Sequence, residues 1–599
     1  MSGSRTYIPE SCFTRSGQTR GDAVNESPAL EIQPYREMTV PAMILGIMMG
    51  AVLTASFVYI GLLLGFTMSG STVAAILGFA ALKGLTKHGT ILENNIAQTV
   101  ASGINNASSG VVFTLPALFI MGIDDFDPIP FIIAAVAGSF LGIVLIIPLR
   151  KQMIEFERLR FPSGVAVGTL LKSPGAGLRQ AKLLGMGFAI SAFFTCLTAF
   201  HLLPEDLDIG TSLGLPATIP IAIYVSFASL GAGLLAGKGG LSFLAGGILA
   251  WWVISPIAVG MGWVPDTGLS GQSGWQAGVV YSQMLRPLGI GMLVGGALMG
   301  VVLSFPALKS AIKGLSSAVQ SRSSGAASQG KQELSSKVLS LGLGAGVLML
   351  FAAAMLATDE ISIVQAISIS IVGTIWLALA GLVVAQATGM TDISPLSGMS
   401  LIAVTIMFFM TAGSTLASVL LGVAVCIGIG MCADMMSDLK SGHLVGAVPR
   451  RQQLAQLSVA WIGPPIAVAM LVLLWGAEGF GPGHRLSAPQ GQALAAILES
   501  LGAGEAALDK YLSGMALGGA VGLFPIGGVG VLVGLAMYLP FSITLTYGIG
   551  CLASMWLAKR LGRRRMGTDL VPFAAGFIIG EALPRDVIVI AQVASGSAG

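Results

Sequence analysis

The sequence predicts an all-α polytopic membrane protein with about 14 to 16 membrane segments, some broken or re-entrant, in two pseudo-repeated halves. Three observations carry this expectation. Of 599 residues, 54% are hydrophobic and only 10% charged, against roughly 25% charge in soluble domains, and the mean hydropathy is +0.85. The 82 glycines follow no collagen-like period; in hydrocarbon such glycines let helices approach closely or break beside a cavity. Finally, apolar runs near the ~20 residues needed to cross a bilayer alternate with short loops that hold the lysines and arginines. A net charge of +3 spread over such loops orients helices, and no nucleic acid is expected as a partner. Cys196, Cys426, Cys432 and Cys551 lie in apolar runs and Cys12 in the polar N-terminus, with no disulfide framework or metal-ligand spacing.

Residues 1–37, rich in Ser, Arg, Glu and Pro, predict a disordered tail, cytoplasmic by its arginines. They hold no apolar stretch of signal-peptide length, so insertion is expected to start at residues 38–64, which are long enough to cross. Residues 71–82, before Lys83 and Lys87, are too short for a straight span and read as a broken or half helix. Asp124, Asp125 and Asp127 mark an outer loop, and 129–149 returns to Arg150 and Lys151. Residues 161–171 have cytoplasmic-looking charge on both flanks and are too short to cross; a re-entrant hairpin fits, with a short interfacial helix as the alternative. Spans follow at 183–203, 221–237, 241–263 and 281–306, completing a first membrane half over 38–306.

A Ser/Gly/Gln-rich stretch around 307–337 reads as a flexible cytoplasmic linker. The second half, 338–599, continues with 338–357, 361–386, 401–431 (interrupted at Gly413 and Ser414) and 454–475. An outer loop holds Glu478, Glu499, Glu505 and Asp509. Residues 514–557 could cross twice, yet the basic cluster from Lys559 to Arg565 demands an odd number of crossings. One span plus a re-entrant piece tipped by Phe524-Pro-Ile-Gly-Gly528 resolves the parity, and 571–593 is the last segment.

A charged side chain in hydrocarbon costs about 2.5–3.5 kcal/mol on insertion scales, so it demands a partner, a cavity or a role. On a helix from Glu93, the residues Asn94, Gln98, Ser102 and Asn105 form one polar stripe. That stripe either binds a peptide-like or carboxylate-bearing solute or joins helices by hydrogen bonds. Asp434 and Asp438 stand one turn apart, a spacing suited to a proton site; Lys440 and Arg450 could equally neutralise them. Asp392 and Pro395 break an apolar pattern, as unwound backbone at a cavity or an ordinary loop would. Glu581 and Arg585, four apart, are expected to pair.

Enzyme signatures fail. His88, His201, His443 and His484 never come within a helical turn of one another, and Ala232 and Gly239 spoil a phosphate-loop reading of 231–240. No cofactor is expected. An intramembrane enzyme using Asp392 with Asp434 lacks its motif glycines, and a channel would need a dense ring of one polar residue.

Five stretches in order, Glu93-Asn-Asn-Ile-Ala-Gln-Thr-Val-Ala-Ser-Gly103, Phe161-Pro-Ser-Gly-Val-Ala-Val-Gly168, Thr391-Asp-Ile-Ser-Pro-Leu-Ser-Gly398, the run from Asp434 to Gln453, and Gly576-Phe-Ile-Ile-Gly-Glu-Ala-Leu583, together resemble the oligopeptide transporter (OPT) family. The resemblance covers 38–593 and is nearer the prokaryotic branch related to the yellow-stripe-like metal-chelate carriers. It implies proton-coupled symport of short peptides, of glutathione-like peptides or of metal chelates, with the proton as coupling ion, across a bacterial-type inner membrane, and it makes a homodimer plausible. Carried onto this sequence, it points to Glu93, Asn94, Asn95, Gln98, Ser163, Gly164 and Asp392 for substrate and to Asp434 and Asp438 for proton coupling. Pro584, Arg585 and Asp586, which interrupt the last span, and the linker depart from the pattern.

Overall fold

The computed structural model describes residues 36–65, 70–86, 89–172, 176–215, 219–261, 263, 280–303, 333–358, 361–391, 394, 396–503, 508–524 and 529–595. The expected tail, most of the linker, Asp392 and the 525–528 tip lie outside the described residues.

The first part of the chain forms α1 (Val40–Leu64), α2 (Gly70–Thr86), α3 (Ile91–Asn105), α4 (Ala107–Thr114), α5 (Pro116–Ile120), α6 (Pro128–Ile146), α7 (Pro162–Leu171) and α8 (Ala176–Ala199). A small antiparallel hairpin follows, β1 (Asp206–Asp208) with β2 (Ala222–Tyr224), pairing Asp206 with Tyr224. Then come α9 (Phe227–Ala236), α10 (Leu241–Ile248), α11 (Ser255–Gly260) and α12 (Arg286–Leu303). The second part forms α13 (Ser336–Ala357), α14 (Ile363–Thr391), α15 (Leu396–Met410), α16 (Thr415–Val445), α17 (Pro449–Val459), α18 (Gly463–Ala477), α19 (Pro489–Ala503), α20 (Leu508–Gly522), α21 (Val529–Tyr538), α22 (Phe541–Arg565) and α23 (Val571–Ala594).

Among the described residues nine helical runs are long and apolar enough to cross a membrane, and α17 with α18, bent by 41°, make a tenth if counted as one span. The remaining apolar helices are short, as expected of broken segments. Outward faces confirm the environment. On α14, Ile363, Ile367, Ile371, Ile375 and Leu379 stand exposed at four-residue spacing, a stripe that suits lipid and would be a liability in water.

The helix α16 is the axis of the molecule. Its most apolar window is 94% buried, against 28% for α8 and for α13 at the periphery. It is surrounded by α3, α4, α6, α7, α14 and α15, so helices from either side of the linker interleave; likewise α8 packs on α23, α9 on α22, and α12 on α20 and α21. Close approach is a matter of side-chain size. A Cβ at Gly138 or Gly142 of α6 would run into the backbone of Ala424 or Gly428 on α16, the small-residue crossing by which membrane helices gain van der Waals contact.

Three segments differ from or sharpen the sequence reading. Residues 161–171 form a single half-length helix, α7, rather than a hairpin, because Phe161 (φ 43) turns the chain and Pro162 starts the helix at once. Phe227–Gly260 is helical almost throughout yet reverses at Gly237 (φ 52). The first arm brings Leu230 to Gly550 and Gly237 to Ser554; the second returns with Gly240 at Cys551 and Gly247 at Thr544. The out-and-back reading around Lys238 therefore holds, with a first arm of only ten residues in α9. Finally, α20 and α21 pack on each other and on α12, as two short arms followed by the long α22.

Candidate functional site

The site is built on α3, which is buried on every side from Leu92 to Asn105. Its start is fixed by a capping box: the Thr90 hydroxyl accepts from the Glu93 N–H at 3.0 Å, and Glu93 Oε2 accepts from the Thr90 N–H at 2.9 Å. Glu93 Oε1 also accepts from the Thr39 hydroxyl at 2.9 Å. This carboxylate therefore ties α3 to the start of α1, at the end of the polar stripe.

Further along, α3 turns its amides toward α2, α16 and α17. Asn94 donates to the Ala75 carbonyl at 2.9 Å. Asn95 Oδ1 accepts from the Ser441 hydroxyl at 3.2 Å and from Gln98 Nε2 at 3.4 Å. Gln98 Nε2 also reaches Thr99 Oγ1 at 3.0 Å, and Gln452 of α17 donates to Thr99 Oγ1 and to the Asp438 carbonyl.

Two carboxyl groups of α16 end this network. Ser102 of α3 donates to Asp434 Oδ2 at 2.6 Å, Ser71 of α2 donates to Asp438 Oδ1 at 3.1 Å, and the two hydroxyl oxygens are 2.8 Å apart. The chain Asp434–Ser102–Ser71–Asp438 thus has three contacts of hydrogen-bond length and two hydroxyl hydrogens to fill them. Asp438 is 1% exposed, Asp434 is half-buried, and no ion pair among the described residues reaches either. The alternative, neutralisation by Lys440 or Arg450, is not formed among the described residues.

Several buried atoms here have no hydrogen-bond partner: Asn94 Oδ1, Asn95 Nδ2, Gln98 Oε1, Asn105 Oδ1, Asp438 Oδ2 and Gln456 Oε1. Native proteins leave few such groups, and this many along one helix and its neighbours fits a wall of polar groups prepared for water or solute. The α7 motif abuts the same place. Gly164 lets α7 approach the Ser437 carbonyl, next to Asp438, and Ser163 is half-buried on the first turn. The Phe161 N–H donates to the Gly389 carbonyl at 2.9 Å, so α7 meets the end of α14 just before the stretch holding Asp392. That residue lies outside the described part. Ser397 and Ser400, from the start of α15, line a small void, with room for about one water, together with Phe113, Thr114, Gln490 and Leu494. Thr114 lies on the same helical run as Ser102, Ile91–Ile120, about 18 Å further along at 1.5 Å per residue.

A second polar cluster, invisible as a unit in the sequence, joins β1–β2 to α18, α19 and α23. Arg485 donates to the hydroxyls of Tyr224 at 2.9 Å and Tyr59 at 2.8 Å and pairs with Glu205 at 3.0 Å. Burial pushes the Tyr224 phenol up to about 12, so it meets the guanidinium as a neutral acceptor. Arg585 also pairs with Glu205, at 2.9 Å, and with Glu478 at 3.6 Å. The expected Glu581–Arg585 pair is absent: Glu581 accepts instead from the Ser226 hydroxyl at 3.0 Å and the Ala228 N–H at 2.8 Å. Tertiary partners outcompete the i,i+4 neighbour, whose pairing is worth only about 0.2–0.5 kcal/mol. Arg485→Met leaves both phenols without their donor and Glu205 with Arg585 alone, and is expected to cost about 1–3 kcal/mol of stability, read as a lowered midpoint in denaturant titration of the purified protein.

Comparison with known proteins agrees with this architecture. The family model described as OPT oligopeptide transporter protein matches residues 37–591. A Haemophilus influenzae protein named as an assumed oligopeptide transporter is 27% identical, over 90% of this chain and 93% of its own. An Oryza sativa subsp. japonica protein named as an assumed metal-nicotianamine transporter, YSL13, is 26% identical over 76% of this chain and 69% of its own. The Arabidopsis thaliana metal-nicotianamine transporter YSL2 is 23% identical over 94% of both. A match that runs from residue 37 to residue 591 places the chain in the OPT oligopeptide transporter family, as an integral membrane transporter and not an enzyme.

Proposed function

We propose that the protein is a proton-coupled symporter of oligopeptides or related peptide-like solutes, with its N-terminus cytoplasmic, and that Asp434 and Asp438 share the coupling proton. The observation that carries this reading is the serine chain between the two carboxyls. Three contacts of hydrogen-bond length and two hydroxyl hydrogens support a third hydrogen carried by one of the carboxyls. Ionisable groups at membrane depth mark ion and substrate pathways, proton relays among them.

The solute is assigned to the space between α4, α15 and α19. Its walls offer hydroxyls from Thr114, Ser397 and Ser400 and the Gln490 amide, groups that suit peptide bonds and zwitterionic ends. The void there has room for about one water molecule, far less than a small-molecule pocket needs, so the described conformation is read as closed and opens as helices part. The helical run from Ser102 through α4 to Thr114, interrupted only by a turn at Asn106, links the proton and solute positions mechanically. A second reading, symport of metal chelates, is favoured by the nicotianamine named for two relatives.

The test is a thermal-shift screen of the purified protein against di- to hexapeptides, glutathione, and iron and nickel chelates of amino-acid-derived ligands. Peptides are expected to raise the melting temperature, less so in Ser400→Leu, which fills the cavity. Stabilisation by chelates alone transfers the assignment to the second reading, and stabilisation by none of these classes removes it.

A further inference from the structure

Asp586 of α23 is 2% exposed, and neither of its carboxyl oxygens has a hydrogen-bond partner. It is the only described carboxyl group left in that condition. Ser56 of α1 lies within hydrogen-bonding reach of it, Glu478 at the end of α18 is close enough for charge repulsion, and α1, α18 and α23 pack on one another. Ser56 Oγ and Glu478 Oε2 are themselves buried and unpartnered. The Asp586 carboxyl therefore has the Ser56 hydroxyl as its neighbouring donor and the Glu478 carboxylate as a like charge, Glu478 itself being paired with Arg585. Ser56 lies eight residues before the end of α1, about 12 Å inside it, which puts this carboxyl within the helix bundle.

The other charged groups around α23 have partners other than Asp586, although Arg585 reaches the neighbouring Glu478. Arg585 is held by Glu205 and Glu478, and Arg485 by Glu205, Tyr59 and Tyr224. Glu581, just over one turn earlier on α23, is satisfied by Ser226 and the Ala228 N–H from the α9 side. From α8, Thr198 reaches Arg585 and not Asp586. No ion pair among the described residues includes Asp586. The Ser56 hydroxyl offers one hydrogen to the two Asp586 oxygens, and no described cation is paired with this carboxyl, so burying it as the neutral acid avoids an uncompensated charge beside Glu478.

We propose that Asp586 is a second proton-binding site, separate from the Asp434–Asp438 pair, with its acid hydrogen donated to Ser56 or Glu478 and released when α23 shifts against α1. The inference rests on the proton-coupled reading for its purpose in the transport cycle, although the site stands on its own geometry. The helix α1 connects the two places, since one stretch of it packs on α3 through Gly46 and Gly50 and a later turn presents Ser56 to α23. A carrier with two such stations moves more than one proton per cycle or hands one proton along.

The experiment is infrared difference spectroscopy of the full chain in liposomes, between acid and alkaline buffer, following the C=O stretch of protonated carboxyl groups. Asp586→Asn is expected to remove one component and to lower the protons released per chain by one, while Asp434→Asn with Asp438→Asn leaves that component in place. Ser56→Ala is expected to shift its frequency, which keeps the test decisive should Asp586→Asn fail to fold. Unaltered spectra in Ser56→Ala and in folded Asp586→Asn overturn the proposal, as does a component displaced by sodium at fixed pH. A spectrum with the Asp586 component present and no component lost in the Asp434→Asn, Asp438→Asn variant would instead defeat the earlier reading and leave this one standing.

Discussion

Asp434→Asn is expected to reduce acid-driven uptake into liposomes to the level of protein-free vesicles while the protein still inserts and elutes as a single species. Asparagine keeps the size of the side chain and can still accept from Ser102, so the fold is not asked to tolerate a cavity or a new charge. What disappears is the acid that could exchange a hydrogen along Ser102 and Ser71 to Asp438. Because the two acids act as one unit, the Asp434→Asn, Asp438→Asn double variant is expected to be no worse than the single one, the non-additivity typical of groups in one network. Measured with and without an imposed pH gradient, normal gradient-driven accumulation in Asp434→Asn would exclude the pair from coupling.

The largest effect on stability is expected at the crossing of α6 and α16. Gly138→Leu places a branched side chain where even a Cβ meets the Ala424 carbonyl, and Gly142→Leu does the same against Gly428. Overpacking of a tight core costs typically 1–3 kcal/mol and more where backbone must move. Here the obstacle is backbone on the most enclosed helix of the protein, so a loss of about 3 kcal/mol or more is expected, seen as poor yield and aggregation on size-exclusion chromatography. Gly344→Leu, on the outward α13 with nothing within 4 Å of its Cβ position, serves as the control and is expected to behave as the parent protein. Equal behaviour of Gly138→Leu and Gly344→Leu would mean that α6 and α16 are not in contact as described.

Local signals in the sequence were reliable where one element decides the outcome. Apolar runs of bilayer length locate α1, α6 and α16, and the Lys238 loop marks the reversal at Gly237. The polar stripe on α3 and the one-turn spacing of Asp434 and Asp438 are legible because helical periodicity alone fixes them. What sequence could not supply is the partner from another helix. Ser71 sits in an apolar run with nothing to distinguish it, yet it closes the chain between the two acids across 367 residues. Arg485 looks like an isolated cation of an outer loop until β1–β2 brings Glu205 and Tyr224 to it. The Glu581–Arg585 expectation failed for the same reason in reverse, since a weak local pair yields to better donors and acceptors supplied by folding.

The most direct measurement places a pH-sensitive dye inside liposomes containing the purified protein and adds, at equal pH on both sides, the peptides that shift its melting temperature. Acidification of the lumen in step with peptide entry, abolished in Asp434→Asn, is the predicted result. Peptide entry with no change of internal pH, or the same acidification in Asp434→Asn, would contradict a hydrogen shared between these two acids as the driving ion.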